Sequence, residues 1–155
     1  IRDRCMKLLL QQQPVAKDLR IISSALKMVT DMERIGDNSG DIAEIVTMAN
    51  ISASDNTLPI QDMARATIKM VTDSIDAFVK RDVSLAKEVV TYDDVVDGYF
   101  DKIKTNLITQ FGNPDVNGEK VLDLLMIAKY FERMGDHAAE IAKWVLFSIT
   151  GNKEG

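Results

Sequence analysis

The chain has 155 residues, 46% of them hydrophobic, with a net charge of −5 and a pI near 4.9. The acidic balance excludes a strongly basic nucleic-acid surface, and a single cysteine, Cys5, excludes an internal disulfide framework. No apolar run reaches the roughly 18–20 residues a membrane-spanning helix needs, no signal peptide pattern is present, and only 8 Gly and 3 Pro favour long helices over turn-rich sheets.

Residues 1–12 read as the end of a helix, with Ile1, Cys5, Leu8 and Leu9 on one face and Cys5 as a small buried hydrophobe. The chain opens inside an amphipathic pattern and without Met, so an incomplete N-terminus is expected. Pro14 suits the first turn of a new helix, which runs to about Ala49 with apolar positions at Leu19, Ile22, Leu26, Val29, Ile35, Ile42 and Ile45. Residues 52–58 lie in a polar linker. Pro59 opens a helix to about Lys80, and Asp82 caps one to about Phe111. Gly112-Asn113-Pro114 stops it, and Asn117 caps a last helix that ends at Gly151. The expected fold is all-α: two tandem units of long antiparallel helices, one at 1–51 holding the end of one helix and a second helix, and a complete three-helix bundle at 59–151.

The two units are copies. Glu33-Arg34-Ile35-Gly36-Asp37 recurs as Glu132-Arg133-Met134-Gly135-Asp136, 99 residues on, and the match continues without a gap from Leu26 on Leu125 to Val46 on Val145. Residues four apart on a helix lie one above the other, so Glu33 with Asp37, and Glu132 with Asp136, form acidic ladders. Asp41 and Glu140 extend them, and Asp93, Asp97 and Asp101 form a third. Like charges at this spacing repel by a few tenths of a kcal/mol per pair, and a cation reverses that sign. Depth sharpens the argument. Asp93 and Asp97 centre on position 95, sixteen residues before Phe111, and Glu132 and Asp136 centre on position 134, sixteen residues after Gly118. Antiparallel helices joined there hold the pairs at one height. Four facing carboxylates form a hard oxygen site for Mg²⁺, Mn²⁺, Ca²⁺ or iron.

Gly36 and Gly135 each cost about 1 kcal/mol relative to Ala inside a helix, which suggests a close helix approach or room for a ligand. Arg34 and Arg133 are placed to reach Asp37 and Asp136 at i+3. His137, the sole histidine, points about 100° away from Asp136 and reads as a surface residue.

Gln12-Gln13-Pro14-Val15-Ala16-Lys17-Asp18-Leu19-Arg20, the doubled motif after Thr30-Asp31-Met32, and Asp93-Asp94-Val95-Val96-Asp97 resemble the PhoU family of phosphate-signalling proteins. The resemblance covers essentially the whole chain. It implies two three-helix bundles with metal ligands at Glu33, Asp37, Asp93, Asp97, Glu132 and Asp136. Asp41, Asp101, Glu140, Arg34 and Arg133 are weaker candidates around them. Iron is the foremost metal, with zinc, manganese or magnesium as alternatives. It further implies a cytoplasmic, non-catalytic negative regulator of phosphate uptake. Such a protein acts between the phosphate ABC transporter ATPase and a sensor histidine kinase, often as a homodimer, without nucleic acid and at most peripheral to the membrane. At the 99-residue offset the first unit's counterparts of Asp93 and Asp97 fall before position 1. Residues 112–117 replace the Pro14 segment, so the two copies differ at that loop.

Two other functions fit parts of the pattern. A metal-free helical interaction module would use the acidic ladders as a face for a basic partner. A di-iron carboxylate oxidase wants Glu-x-x-His on two helices, where this chain has Glu33-x-x-Gly36 and Glu132-x-x-Gly135.

Overall fold

A computed structural model describes residues 2–51 and 59–152, with the backbone alone for 8–13. The linker expected at 52–58 lies outside the described residues. Four helices follow in order: α1 (Arg2–Met48), α2 (Ile60–Lys80), α3 (Val83–Gln110) and α4 (Gly118–Thr150). The all-α expectation holds. None of these helices is long and apolar enough to cross a membrane.

The helix ends follow local chemistry. The Asp82 side chain accepts the Leu85 amide at 3.0 Å and starts α3, and the Asn117 side chain accepts the Glu119 amide at 3.0 Å and starts α4. Gly112 (φ 92°) and Gly151 (φ 77°) take the left-handed conformation just past α3 and α4, where a Cβ would be strained.

The expected break at Pro14 is absent: α1 runs through it as one helix. Proline removes one backbone donor and crowds the preceding turn. Good helix formers such as Lys7, Leu10, Gln13 and Ala16 flank it, and residues 14–19 are exposed, so no packed neighbour turns the chain there. Cys5 is exposed for the same reason and is not the buried hydrophobe expected of it.

Helix α4 is the hub. It packs against α1, α2 and α3, while α2 also packs on α3. Its small residues Ala128, Ala138 and Ala142 are fully buried, which lets three neighbours approach its backbone. Met63 and Met70 of α2 and Val96, Ile103 and Leu107 of α3 close the core of the second unit.

Helix α1 crosses α4 antiparallel: Asp31 lies against His137, and Arg20 lies beside Gly151. Ser24, Met28, Asp31, Ile35 and Asn38 recur at alternating steps of four and three, and all are buried. They are the face that docks on α4. Val15, Leu19, Ile22, Leu26 and Val29 recur at the same steps on another face, and all are exposed, Leu26 at 67%. In α4 the residues aligned with Ile22 and Val29 are Val121 and Ala128, both buried in the bundle.

Candidate metal centre

The helix-period spacing of Asp93 and Asp97 directs both carboxylates to one side of α3. The antiparallel turn through residues 111–117 returns α4 with Asp136 at their level. One carboxylate oxygen from each of Asp93, Asp97 and Asp136 falls within 4.8 Å of the other two. Asp93 and Asp97 are half-buried, and Asp136 keeps one side open to solvent.

Gly135 makes the approach possible. A Cβ there would lie 3.3 Å from Val96 Cγ1 and 3.4 Å from Asp93 Oδ1, so its missing side chain lets α4 close on α3 directly beside the acids. Its counterpart Gly36 has nothing within 4 Å of such a Cβ. The expected close approach therefore exists in one copy of the motif and not in the other.

The electrostatics are those of crowded acids. Burial, then the charges of Asp136 and Asp97, push the Asp93 carboxyl up from 3.8 to about 7. Asp97 is raised by burial, then by Asp136 and Glu132. Asp136 is raised chiefly by burial, against the lowering effects of its hydrogen bond with Asp93 and of nearby Lys129 and His137. Asp93 Oδ1 is also buried without a hydrogen-bond partner, and a buried acceptor left unpaired costs about 1–3 kcal/mol. Three convergent carboxylates, one of which also carries an unpartnered buried oxygen, fit a Mg²⁺-, Mn²⁺- or iron-type cation, whose charge would offset their repulsion. Zinc, the remaining expectation, would be held here by carboxylate oxygens alone, because no thiolate lies at the cluster and His137 turns to Asp31.

The other expected ligands are placed differently. Glu132 stands outside the three-carboxylate group and pairs with Lys129 Nζ at 2.8 Å. Glu33 and Asp37 are exposed on α1 together with Arg34, and among the described residues they belong to no group of three possible ligands. Asp41 is half-buried. Asp101 is exposed and adds its charge to Asp97. Glu140 is half-buried with Lys143 Nζ 3.8 Å away. The expected reach of Arg133 to Asp136 is not seen, because its guanidinium lies over the Tyr130 ring at 5.7 Å.

His137 corrects another expectation. It is half-buried, with Nδ1 3.1 Å from Oδ1 of Asp31 on α1. Its 100° offset from Asp136 turns it away from the acids and onto the neighbouring helix. Sequence reading missed this pair, whose partners are far apart in the chain. It also missed the Lys129–Glu132 pair, which was legible as an i,i+3 contact.

The PhoU domain family matches residues 1–46 and 60–145. This chain belongs to the PhoU family. It is 34% identical over 155 residues to a phosphate-specific transport system accessory protein PhoU homolog of Clostridium acetobutylicum, covering 99% of this chain and 71% of that protein. It is 33% identical over 153 residues to a PhoU homolog of Thermotoga maritima, covering 97% of this chain and 66% of that one. The crystal structure of PhoU from Pseudomonas aeruginosa superposes with a TM-score of 0.79 at 31% identity, over 97% of this chain and 73% of that one. The phosphate transport system regulatory protein PhoU from Streptococcus pneumoniae, at 23% identity over 88% of this chain and 65% of that one, shares the fold with a TM-score of 0.78. This PhoU chain thus spans roughly two thirds of the length of these relatives.

Proposed function

We propose that the chain is a regulator of phosphate uptake and phosphate-starvation signalling, a metal-binding adaptor rather than an enzyme. The unit at 59–151 is a complete PhoU repeat whose centre is built on Asp93, Asp97 and Asp136. Glu132 is the fourth ligand, one side-chain rotation away. The remainder at 1–51 carries the second motif, Glu33 and Asp37, as the ligands its own repeat would use. Asp41, Asp101, Glu140, Arg34 and Arg133 surround these positions.

The observation that carries the metal reading is the convergence of one carboxylate oxygen each from Asp93, Asp97 and Asp136 within 4.8 Å of one another, with Asp93 also carrying a buried, unpartnered Oδ1. The transport reading is supported by the relatives, which are phosphate-specific transport system accessory proteins. Within that system the adaptor's partners are the transporter's ATPase subunit and a sensor histidine kinase, met in the cytoplasm, with the protein itself a homodimer. A bound cation neutralises the crowded acids and locks α3 to α4, so the adaptor presents one rigid bundle face when loaded.

Metal content by mass spectrometry tests this, on protein purified without chelator or histidine tag. A variant with Asp93, Asp97 and Asp136 changed to Asn and Glu132 changed to Gln is run in parallel. Stoichiometric iron, manganese or zinc that disappears in the variant supports the centre. No bound metal in either, with equal co-purification of the ATPase subunit, moves the reading to a metal-free interaction module.

A further inference from the structure

Helices α3 and α4 run antiparallel in a fixed register. Asp93 faces Asp136, and seven residues further along α3 the Phe100 ring lies 5.2 Å from Lys129 Nζ, seven residues back along α4. The same register puts Glu132 opposite Asp97, and Glu132 does act on Asp97, helping to hold its carboxyl high. Yet the Glu132 carboxylate does not join the other three. It turns along its own helix to Lys129, whose ammonium stands between that carboxylate at 2.8 Å and the Phe100 ring.

We propose that Lys129 is the resident counter-cation of this centre, holding Glu132 in reserve, so that a metal ion captures its fourth carboxylate only by displacing the ammonium. The inference rests on the metal-centre reading above. Three features make the lysine a competitor rather than a bystander. It stands two turns from Asp136 on the same face of α4. Its pairing with Glu132 is backed by a ring on the opposite helix, which fixes the ammonium better than an open i,i+3 pair would. And the first copy of the motif lacks it: position 30, which aligns with 129, is Thr, whose hydroxyl lies 3.5 Å from the Leu26 carbonyl on its own helix. The two copies are therefore built for different affinities. Among the described residues the Glu33 motif has no ion pair on its acids, whereas the Glu132 motif exchanges one cation for another. Displacement frees Lys129 toward solvent, where it becomes a loaded-state charge beside Phe100.

Mn²⁺ titration by calorimetry, with free Mn²⁺ followed by electron paramagnetic resonance, tests the exchange in the whole chain. Lys129→Met keeps the aliphatic stem and removes the charge, and is expected to bind Mn²⁺ about three- to tenfold more tightly. Lys129→Thr, which installs the first copy's residue, should do the same, and Lys129→Arg should restore weak binding. In a Glu132→Gln background the Lys129→Met gain should shrink to less than about twofold. A gain of equal size in that background shows a diffuse charge effect and overturns the exchange, and so does unchanged or weaker binding in both Lys129→Met and Lys129→Thr. Those outcomes are separate from failure of the centre itself. Mn²⁺ binding that survives Asp93→Asn combined with Asp136→Asn removes the centre, and this inference with it.

Discussion

Asp93→Asn in the chelator-treated protein is the sharpest test of the crowded-acid argument. The side chain keeps its shape, loses its charge and exchanges one acceptor oxygen for an amide donor. Asp93 is raised from 3.8 to about 7 by burial and by Asp136 and Asp97. A carboxyl raised on folding binds its proton more tightly in the native state, so the native protein is favoured at low pH. That advantage is lost as pH rises from about 4 through about 7, because the unfolded chain releases the proton first. The difference between 3.8 and about 7 corresponds to a ceiling of about 4 kcal/mol. The site is open to water on the Asp136 side, and screening reduces this to about 2 kcal/mol. For a chain of this size that is about 4–8 °C in Tm. Thermal melts at pH 4.5 and pH 8, in EDTA, should therefore show Asp93→Asn close to wild type at the lower pH and several degrees more stable at the higher one. Saturating Mn²⁺ should reverse the order at pH 8 by stabilising only the wild type. A variant no more stable than wild type at pH 8, or a gap that narrows as pH rises, would refute the electrostatic account.

The two motif glycines should respond oppositely to alanine. Gly36→Ala meets open space and gains about 1 kcal/mol of helix propensity, whereas Gly135→Ala presses on Val96 and Asp93, loses that gain to the contact and weakens Mn²⁺ binding; denaturant melts and Mn²⁺ titration read the contrast. Two residues two positions apart on α1 separate its faces. Met28→Ala, at 1% exposure against α4, should cost about 2–5 kcal/mol, and Leu26→Gln, at 67% exposure, less than about 0.5 kcal/mol in urea unfolding of this chain. His137→Ala removes the partner of the buried Asp31 carboxylate and should cost about 1–3 kcal/mol. Hydrogen exchange would then show α1 amides near Asp31 losing protection before those of α2 and α3, and uniform loss across all four helices would contradict the placement of the pair.

Local rules carried much of this protein's design into its sequence. The 99-residue repeat, the four-residue acidic spacing and the caps at Asp82, Asn117 and Gly151 depend on residues within a turn or two of one another, and the helical period converts that spacing into a direction without further information. Matching distances from the 111–117 turn places Asp93, Asp97, Glu132 and Asp136 at one height, because antiparallel helices advance at equal rises, but it did not show that Glu132 turns to Lys129 instead of joining the other three. What spacing leaves open is which directions another helix occupies. Two copies of one motif therefore met different fates: Gly135 is closed against Asp93 and Gly36 stands open, and Asp136 joins a carboxylate cluster while Asp37 is exposed. The same gap explains Cys5, left exposed on an uncovered stretch of α1, and Arg133, which settled on Tyr130 instead of Asp136. His137 belongs with them: its direction was readable, but only the crossing of α1 over α4 put Asp31 there to meet it. A helix's own sequence sets where each side chain points, and the neighbours that the tertiary fold brings decide whether that direction is core, ligand site or solvent.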